Sequence, residues 1–210
     1  MKPDGGGRES EASRMRTDGP ALVRQRIAES IQVKQQFSED LIQDITRVAA
    51  RIGACYRKGG KMLLFGNGGS AADAQHIACE LVGRFLKERR PFNAVALTTN
   101  SSIVTALGND YGYDCVFERQ VEACARPGDV VIGISTSGNS ANVVRGIEAA
   151  KKIGCAAFAL TGRDSGKVGA ASEIVLAAPS TETPRIQESH ILIGHILCEL
   201  VELMVEEQDT

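Results

Sequence analysis

His76 and Glu80 stand four positions apart in a helical pattern that opens directly after Gly66-Asn67-Gly68-Gly69-Ser70. Residues at i and i+4 lie about 40° apart around a helix and point the same way. An imidazole and a carboxylate so placed suit two ligands of one metal ion, or an acid–base pair. On an arbitrary surface helix the same pair is ordinary solvated polarity. Here the helix starts at a glycine-rich loop, which is a setting for a ligand.

A second stretch with chemical potential is ISTSGNS, residues 134–140. Ser135, Thr136, Ser137 and Ser140 each offer a hydroxyl, and Gly138 leaves room for a ligand to approach the backbone. A helix beginning near Ser140 aims its unpaired N–H groups at the same point. Hydroxyls, amides and helix dipole together would hold a phosphate. No G-K-[ST] follows, which excludes a Walker-type nucleotide loop.

The third stretch is PRIQESHILIGHILCEL, residues 184–200, where Gln187, Glu188, His190 and His195 interrupt an apolar run. Helical projection separates His190 from His195 by about 140°, so the two serve different faces. His190 reads as a buried structural histidine. Gln187 and His195 project about 80° apart with about 12 Å of axial rise between them. One ion shared by both would need stretched side chains, an irregular first turn, or ligands from two subunits.

The elements that position these groups follow from periodicity. Residues 21–36 place Leu22, Ile27 and Ile31 near helical spacing. Ser38 is a fitting N-cap for a second helix, with Glu39 and Asp40 in its first turn. That helix carries Leu41, Ile45, Val48 and Ile52 on one stripe and stops at Gly59-Gly60. Apolar strand patterns then fall at 61–66, 93–99, 129–136, 155–161 and 173–178. Helical patterns fall at 70–88, 101–108, 115–125, 140–153 and 184–207. Continuous apolar strands alternating with helices predict an α/β fold, a doubly wound three-layer sandwich on a five-stranded parallel sheet. In such sheets ligands sit beyond the carboxyl ends of the strands, where strand order reverses. The expected organisation is a disordered tail over 1–20, a helical pair over 21–60 that could bury its stripes against a partner subunit, and the α/β domain over 61–210.

Composition bounds the function. The 210 residues carry a net charge of −2 without a basic block, which argues against nucleic acid as a partner. No apolar run reaches the ~20 residues that span a bilayer. The six cysteines show no C-x-x-C spacing and read as reduced thiols of a cytoplasmic protein.

GNGGSAADAQHIACEL, GNDYG, GDVVIGISTSGNSANVV and RIQESHILIGHILCEL, in this order and spacing, resemble the phosphoheptose isomerases of the sugar isomerase (SIS) domain family. The likeness runs from about residue 21 to 205. It implies conversion of sedoheptulose 7-phosphate to D-glycero-D-manno-heptose 7-phosphate, the first step of ADP-heptose supply for lipopolysaccharide. It also implies a cytoplasmic homotetramer with sites at subunit interfaces and one zinc ion per subunit. By the resemblance, Asn67, Gly68 and Gly69 form the first substrate loop and Asn109 and Asp110 contact the sugar. Ser135, Thr136, Ser137 and Ser140 form the phosphate cradle. His76, Glu80, Gln187 and His195 form the metal set, Glu80 and Gln187 also meet substrate, and Glu80 and His195 are the catalytic pair. One departure stands out: Pro184 occupies a position that is acidic in some members, leaving Glu182 as the nearby substitute. The rival reading is a non-catalytic SIS module, a phosphosugar-binding or replication-initiation adaptor protein, in which the glutamate and final histidine are expected to be missing.

Overall fold

The computed structural model describes residues 18–206. The tail expected over residues 1–20 lies outside the described residues as far as residue 17. From there the chain is already helical. Asp18 accepts a hydrogen bond from the Ala21 amide (3.2 Å) and caps α1, Gly19–Gln35. Ser38 caps α2, Glu39–Arg57, by accepting from Leu41 N (3.2 Å), as its sequence indicated. The stripe of Leu41, Ile45, Val48 and Ile52 is buried. Each such side chain contributes about 1.5–3 kcal/mol by leaving water. α1 behaves differently: Val23, Ile27 and Ile31 are each more than half exposed.

The α/β layers follow. They comprise β1 (Met62–Gly66), α3 (Gly69–Val82), β2 (Ala94–Ala96), α4 (Ser101–Tyr111), α5 (Val116–Cys124), β3 (Val130–Ser135) and α6 (Ala141–Ile153). They continue with β4 (Ala156–Thr161), α7 (Gly166–Ala171), β5 (Ile174–Ala177) and α8 (Thr183–Glu206). The five strands are parallel in the order β2-β1-β3-β4-β5, so the chain winds one way from β1 to β2 and the other way from β3 onward. Strand order reverses between β1 and β3, whose carboxyl ends lead into the glycine loop and the serine loop.

Alternation across the pleat divides the core in two. Met62 and Leu64, Val130, Ile132 and Ile134, and Phe158 and Leu160 face the layer of α2, α3 and α8. Leu63 and Phe65, Val131, and Ala157 and Ala159 face the layer of α5, α6 and α7. Four elements depart from the expected spans, α4 by running on to Tyr111 instead of 108. β2 is an edge strand of three residues instead of 93–99, because the Thr98 and Thr99 hydroxyls bond the Ala71 and Ala96 carbonyls (3.4 and 3.1 Å) as the chain turns into α4. α3 stops at Val82 instead of 88, where Arg89 takes its last carbonyls. α7 has no counterpart in the periodicity; its six residues include two glycines and three alanines or valines, too short to show a repeat.

Candidate active site

α8 runs beside α3 in the same direction, and the two helices meet in step. The Gln187 amide lies against Gly69, Gly194 against Ile77, and His195 against His76. Gly194 makes this approach possible, since a Cβ there would fall 2.7 Å from the Ile77 side chain. The Nε2 atoms of His76 and His195 are 3.0 Å apart, and His76 Nε2 is 3.2 Å from Glu80 Oε1. One ligand atom from each of His76, Glu80 and His195 falls within 4.8 Å of the others.

This donor set fits a transition-metal ion. Two imidazole nitrogens and a carboxylate oxygen are the common zinc ligands, and two nitrogens on one tetrahedral ion stand roughly 3.3 Å apart. Gln187 is held nearer the start of α3, and the axial gap of about 12 Å from His195 persists in the helix. Its amide packs so closely on the glycine loop that a Cβ at Gly69 would lie 2.2 Å from Nε2.

The serine loop is organised from within. Ser135 Oγ lies 2.9 Å from Ser140 Oγ and 3.5 Å from Ser137 Oγ, so three of the four expected hydroxyls converge. Ser140 is the N-cap of α6 but its side chain makes no capping bond, which leaves the first amides of the helix open to a ligand. Thr136 contributes its carbonyl to Gly162 N (3.2 Å). Gly138 has a different role from the one its sequence suggested. It has φ +66°, and the space where its Cβ would be is filled by the Ser165 carbonyl at 2.4 Å. It serves the protein's own chain packing.

Asn67 and Asn142 join the two loops across the reversal point. Each amide donates to the other's oxygen, both at 2.9 Å. Asn109 and Asp110 sit exposed in the last turn of α4, where Asn109 Nδ2 donates to Asp110 Oδ1 (2.7 Å). Among the described residues no hydrogen bond or ion pair joins them to either loop. Glu182 and Pro184 line a cavity with Arg26, Glu29 and Arg185 at the foot of α8. Glu188 pairs with Arg185 (2.5 Å) in the same helix.

His190 is fully buried and its Nε2 lies 2.9 Å from the Thr161 carbonyl at the end of β4. It is the structural histidine expected. Burial pushes its pKa down to about 4, against the weaker upward pull of that hydrogen bond. Three residues near the site were not expected. Asp73, one turn before His76, has a buried carboxylate oxygen without a partner, and burial pushes its pKa up to about 6 against the opposing His76 charge. Its i, i+3 relation to His76 was a usable signal. Phe85 stacks on His195 with ring centroids 5.3 Å apart, and Asn142 pairs with Asn67. Neither carries a sequence signal, because both contacts are made between distant segments.

The sequence profile of the SIS domain family matches residues 26–162. The chain belongs to the SIS domain family. Over 186 residues this SIS domain is 59% identical to the phosphoheptose isomerase of Aquifex aeolicus (strain VF5), covering 89% of this chain and 97% of that protein. The structure of a phosphoheptose isomerase from Neisseria gonorrhoeae superposes with a TM-score of 0.82 at 45% identity, covering 88% of this chain and 98% of the other. That of a phosphoheptose isomerase from Francisella tularensis gives 0.85 at 34% identity, covering 89% and 100%. In this SIS domain the Gly- and Ser-rich loops lie at the carboxyl end of the sheet, the ligand end of such folds, and the His76–Glu80–His195 cluster lies along the α3–α8 seam that runs back from it.

Proposed function

We propose that this SIS domain is an aldose–ketose isomerase converting sedoheptulose 7-phosphate to D-glycero-D-manno-heptose 7-phosphate, the first step of ADP-heptose biosynthesis. The observation that carries the reading is the meeting of Glu80 with an imidazole from the far end of the chain, in a fold that also presents a loop of converging hydroxyls. The high identity to phosphoheptose isomerases along nearly their whole length supports the same substrate.

The reaction moves a proton between C1 and C2 through an enediol. Its barrier is the weak acidity of a carbon next to a carbonyl. Glu80 takes the proton from C1 of the ketose and returns it to C2. His195 moves the second proton between the two oxygens, from the C1 hydroxyl to the former carbonyl oxygen. General acid–base catalysis of this kind contributes about 10²–10⁴-fold. Ser135, Thr136, Ser137 and Ser140, with the open amides of α6, hold the phosphate and so fix C1 and C2 against Glu80. Asn67, Gly68, Gly69, Asn109, Asp110 and Gln187 complete the substrate contacts. His76, Glu80 and His195 would hold a zinc ion, one per subunit, and Gln187, about 12 Å along α8 from His195, would join such a set only from a second subunit. When bound, such an ion polarises the carbonyl and stabilises negative charge on its oxygen.

The exposed apolar stripe of α1 (Leu22, Val23, Ile27 and Ile31) supports a homotetramer in which these helices pack together. A cytoplasmic location suits six cysteines that are all free. Among the described residues no helix is long and apolar enough to cross a membrane. A purely phosphosugar-binding SIS module would have no use for the Glu80–His195 pair. The deciding assay is turnover of sedoheptulose 7-phosphate by the protein as purified, after chelation, and after zinc is restored. Absence of turnover in every arm would overturn the reading.

A further inference from the structure

Beyond the catalytic groups, Glu202 stands two turns after His195 on α8, about 10 Å further along the helix. Its carboxylate is 1% exposed and is enclosed by donors of the protein itself. Oε1 accepts from Phe85 N (2.9 Å) and Arg89 Nε (2.9 Å), and Oε2 from Leu86 N (2.9 Å) and Lys87 N (3.1 Å). Three successive amides curled around one anion form the concavity that proteins use to bind phosphates. In this chain the anion is an internal side chain.

Arg89, with a side chain 3% exposed, extends the arrangement to the other helix of the site. Its guanidinium donates to the carbonyls of Glu80 (2.9 Å), Leu81 (2.9 Å) and Gly83 (3.2 Å), closing the C-terminal turn of α3. It also lies over the Phe92 ring at 4.1 Å. The amide of Phe85 is thus fixed by Glu202, and its ring stacks on His195 at 5.3 Å with 25° between the planes. A helix fixes the Cα of His195 but leaves its imidazole two side-chain torsions to choose. The Phe85 ring removes that freedom on one side, as His76 does through its Nε2 contact.

We infer that Glu202, Arg89 and Phe85 are positioning residues for the isomerase reaction, a clasp between α3 and α8 that sets the imidazole of His195 against the carboxylate of Glu80. Burying a charge pair is costly unless every lone pair is used, and here four donors use the Glu202 carboxylate. A buried ion pair is a poor stabiliser compared with apolar packing; what it supplies is one defined geometry for the two helices. The kinetic part of this inference rests on the isomerase reading, whereas its structural part does not.

The test uses the full-length protein. Phe85→Leu keeps an apolar side chain but loses the ring. The kcat for sedoheptulose 7-phosphate falls about tenfold, since small misplacements of reacting groups cost this much or more. KM stays within about twofold, as expected for a change felt in the transition state and not in substrate binding. Phe85→Tyr, which keeps the aromatic face, restores kcat. Glu202→Gln, remote from His195, shifts the His195 imidazole resonances (assigned against His195→Gln) and speeds amide exchange at Phe85, Leu86 and Lys87. Parent-like kcat in Phe85→Leu, a Phe85→Tyr enzyme as slow as Phe85→Leu, or His195 resonances in Glu202→Gln that overlay the parent's would each overturn the clasp. If Glu202→Gln does not fold, the Phe85 pair decides. If the parent has no isomerase activity, the proposed function fails while the resonance experiment still judges the clasp.

Discussion

The Nε2 atoms of His76 and His195 meet at 3.0 Å although 119 positions separate the two residues in the chain. Parallel packing of α3 and α8 makes the meeting possible, and it places Glu80, one turn beyond His76, beside the same pair. Two neutral imidazoles can share only one proton along such a contact. A bound cation accommodates both nitrogens, each offering it a lone pair.

From this follows the first expectation. Glu80→Gln and His195→Gln each lower kcat by at least about 10²-fold, the scale of a lost general acid or base. Circular dichroism and the elution volume on size exclusion stay as in the parent. An undiminished kcat in either variant would refute the assignment.

Replacing Ser137 and Ser140 together by Ala removes two of the three converging hydroxyls of the serine loop. Lost ground-state contacts to a remote phosphate appear mainly as a higher KM. Unchanged affinity for a phosphosugar, measured by calorimetry, would contradict the cradle.

Gly69→Ala tests Gln187 without altering it. The added methyl would lie 2.2 Å from the Gln187 amide nitrogen, so that flexible side chain must swing away. Zinc content after dialysis falls and kcat drops with it, while the melting temperature barely moves. Retained zinc and activity would remove Gln187 from both roles.

Asn142→Ala leaves the Asn67 amide without its partner across the two loops. Losing a part-buried hydrogen-bonding partner costs about 1–3 kcal/mol. Urea unfolding should show a loss in that range, together with a raised KM, because the glycine and serine loops are no longer tied. Parent-like stability would show that the pair does not bear on loop geometry.

His190 predicts acid sensitivity. Its folded pKa of about 4 lies below the ordinary histidine value of 6.5, so between these values the unfolded chain binds a proton that the folded chain does not. The stabilisation is complete above pH 6.5 and disappears as pH falls toward 4, at roughly 3 kcal/mol in total for a shift of this size. Denaturant midpoints measured from pH 7.5 to 4.5 should decline along this course. A flat profile would count against the neutral buried imidazole.

Much of this molecule was legible from sequence because its signals are local. The continuous apolar runs of KMLLF and VVIGIS, the Ser38 cap and the Leu41–Ile52 stripe depend on neighbours a few residues away, and the structure places these elements within a residue or two of the expected positions. The i, i+4 relation of His76 and Glu80, and the separate faces of His190 and His195, are likewise properties of a single helix. The end of α3 was not legible, since it is set by Arg89 and Glu202, the latter from more than a hundred positions away. Nor was the role of Gly138, which answers to the Ser165 carbonyl across a loop. Sequence alone determined the layered α/β plan and which side chains could do chemistry, because periodicity and capping act over one or two turns. Only the tertiary structure decided which of those groups share a site, because the parallel seam between α3 and α8 depends on how two distant helices cover one face of the sheet.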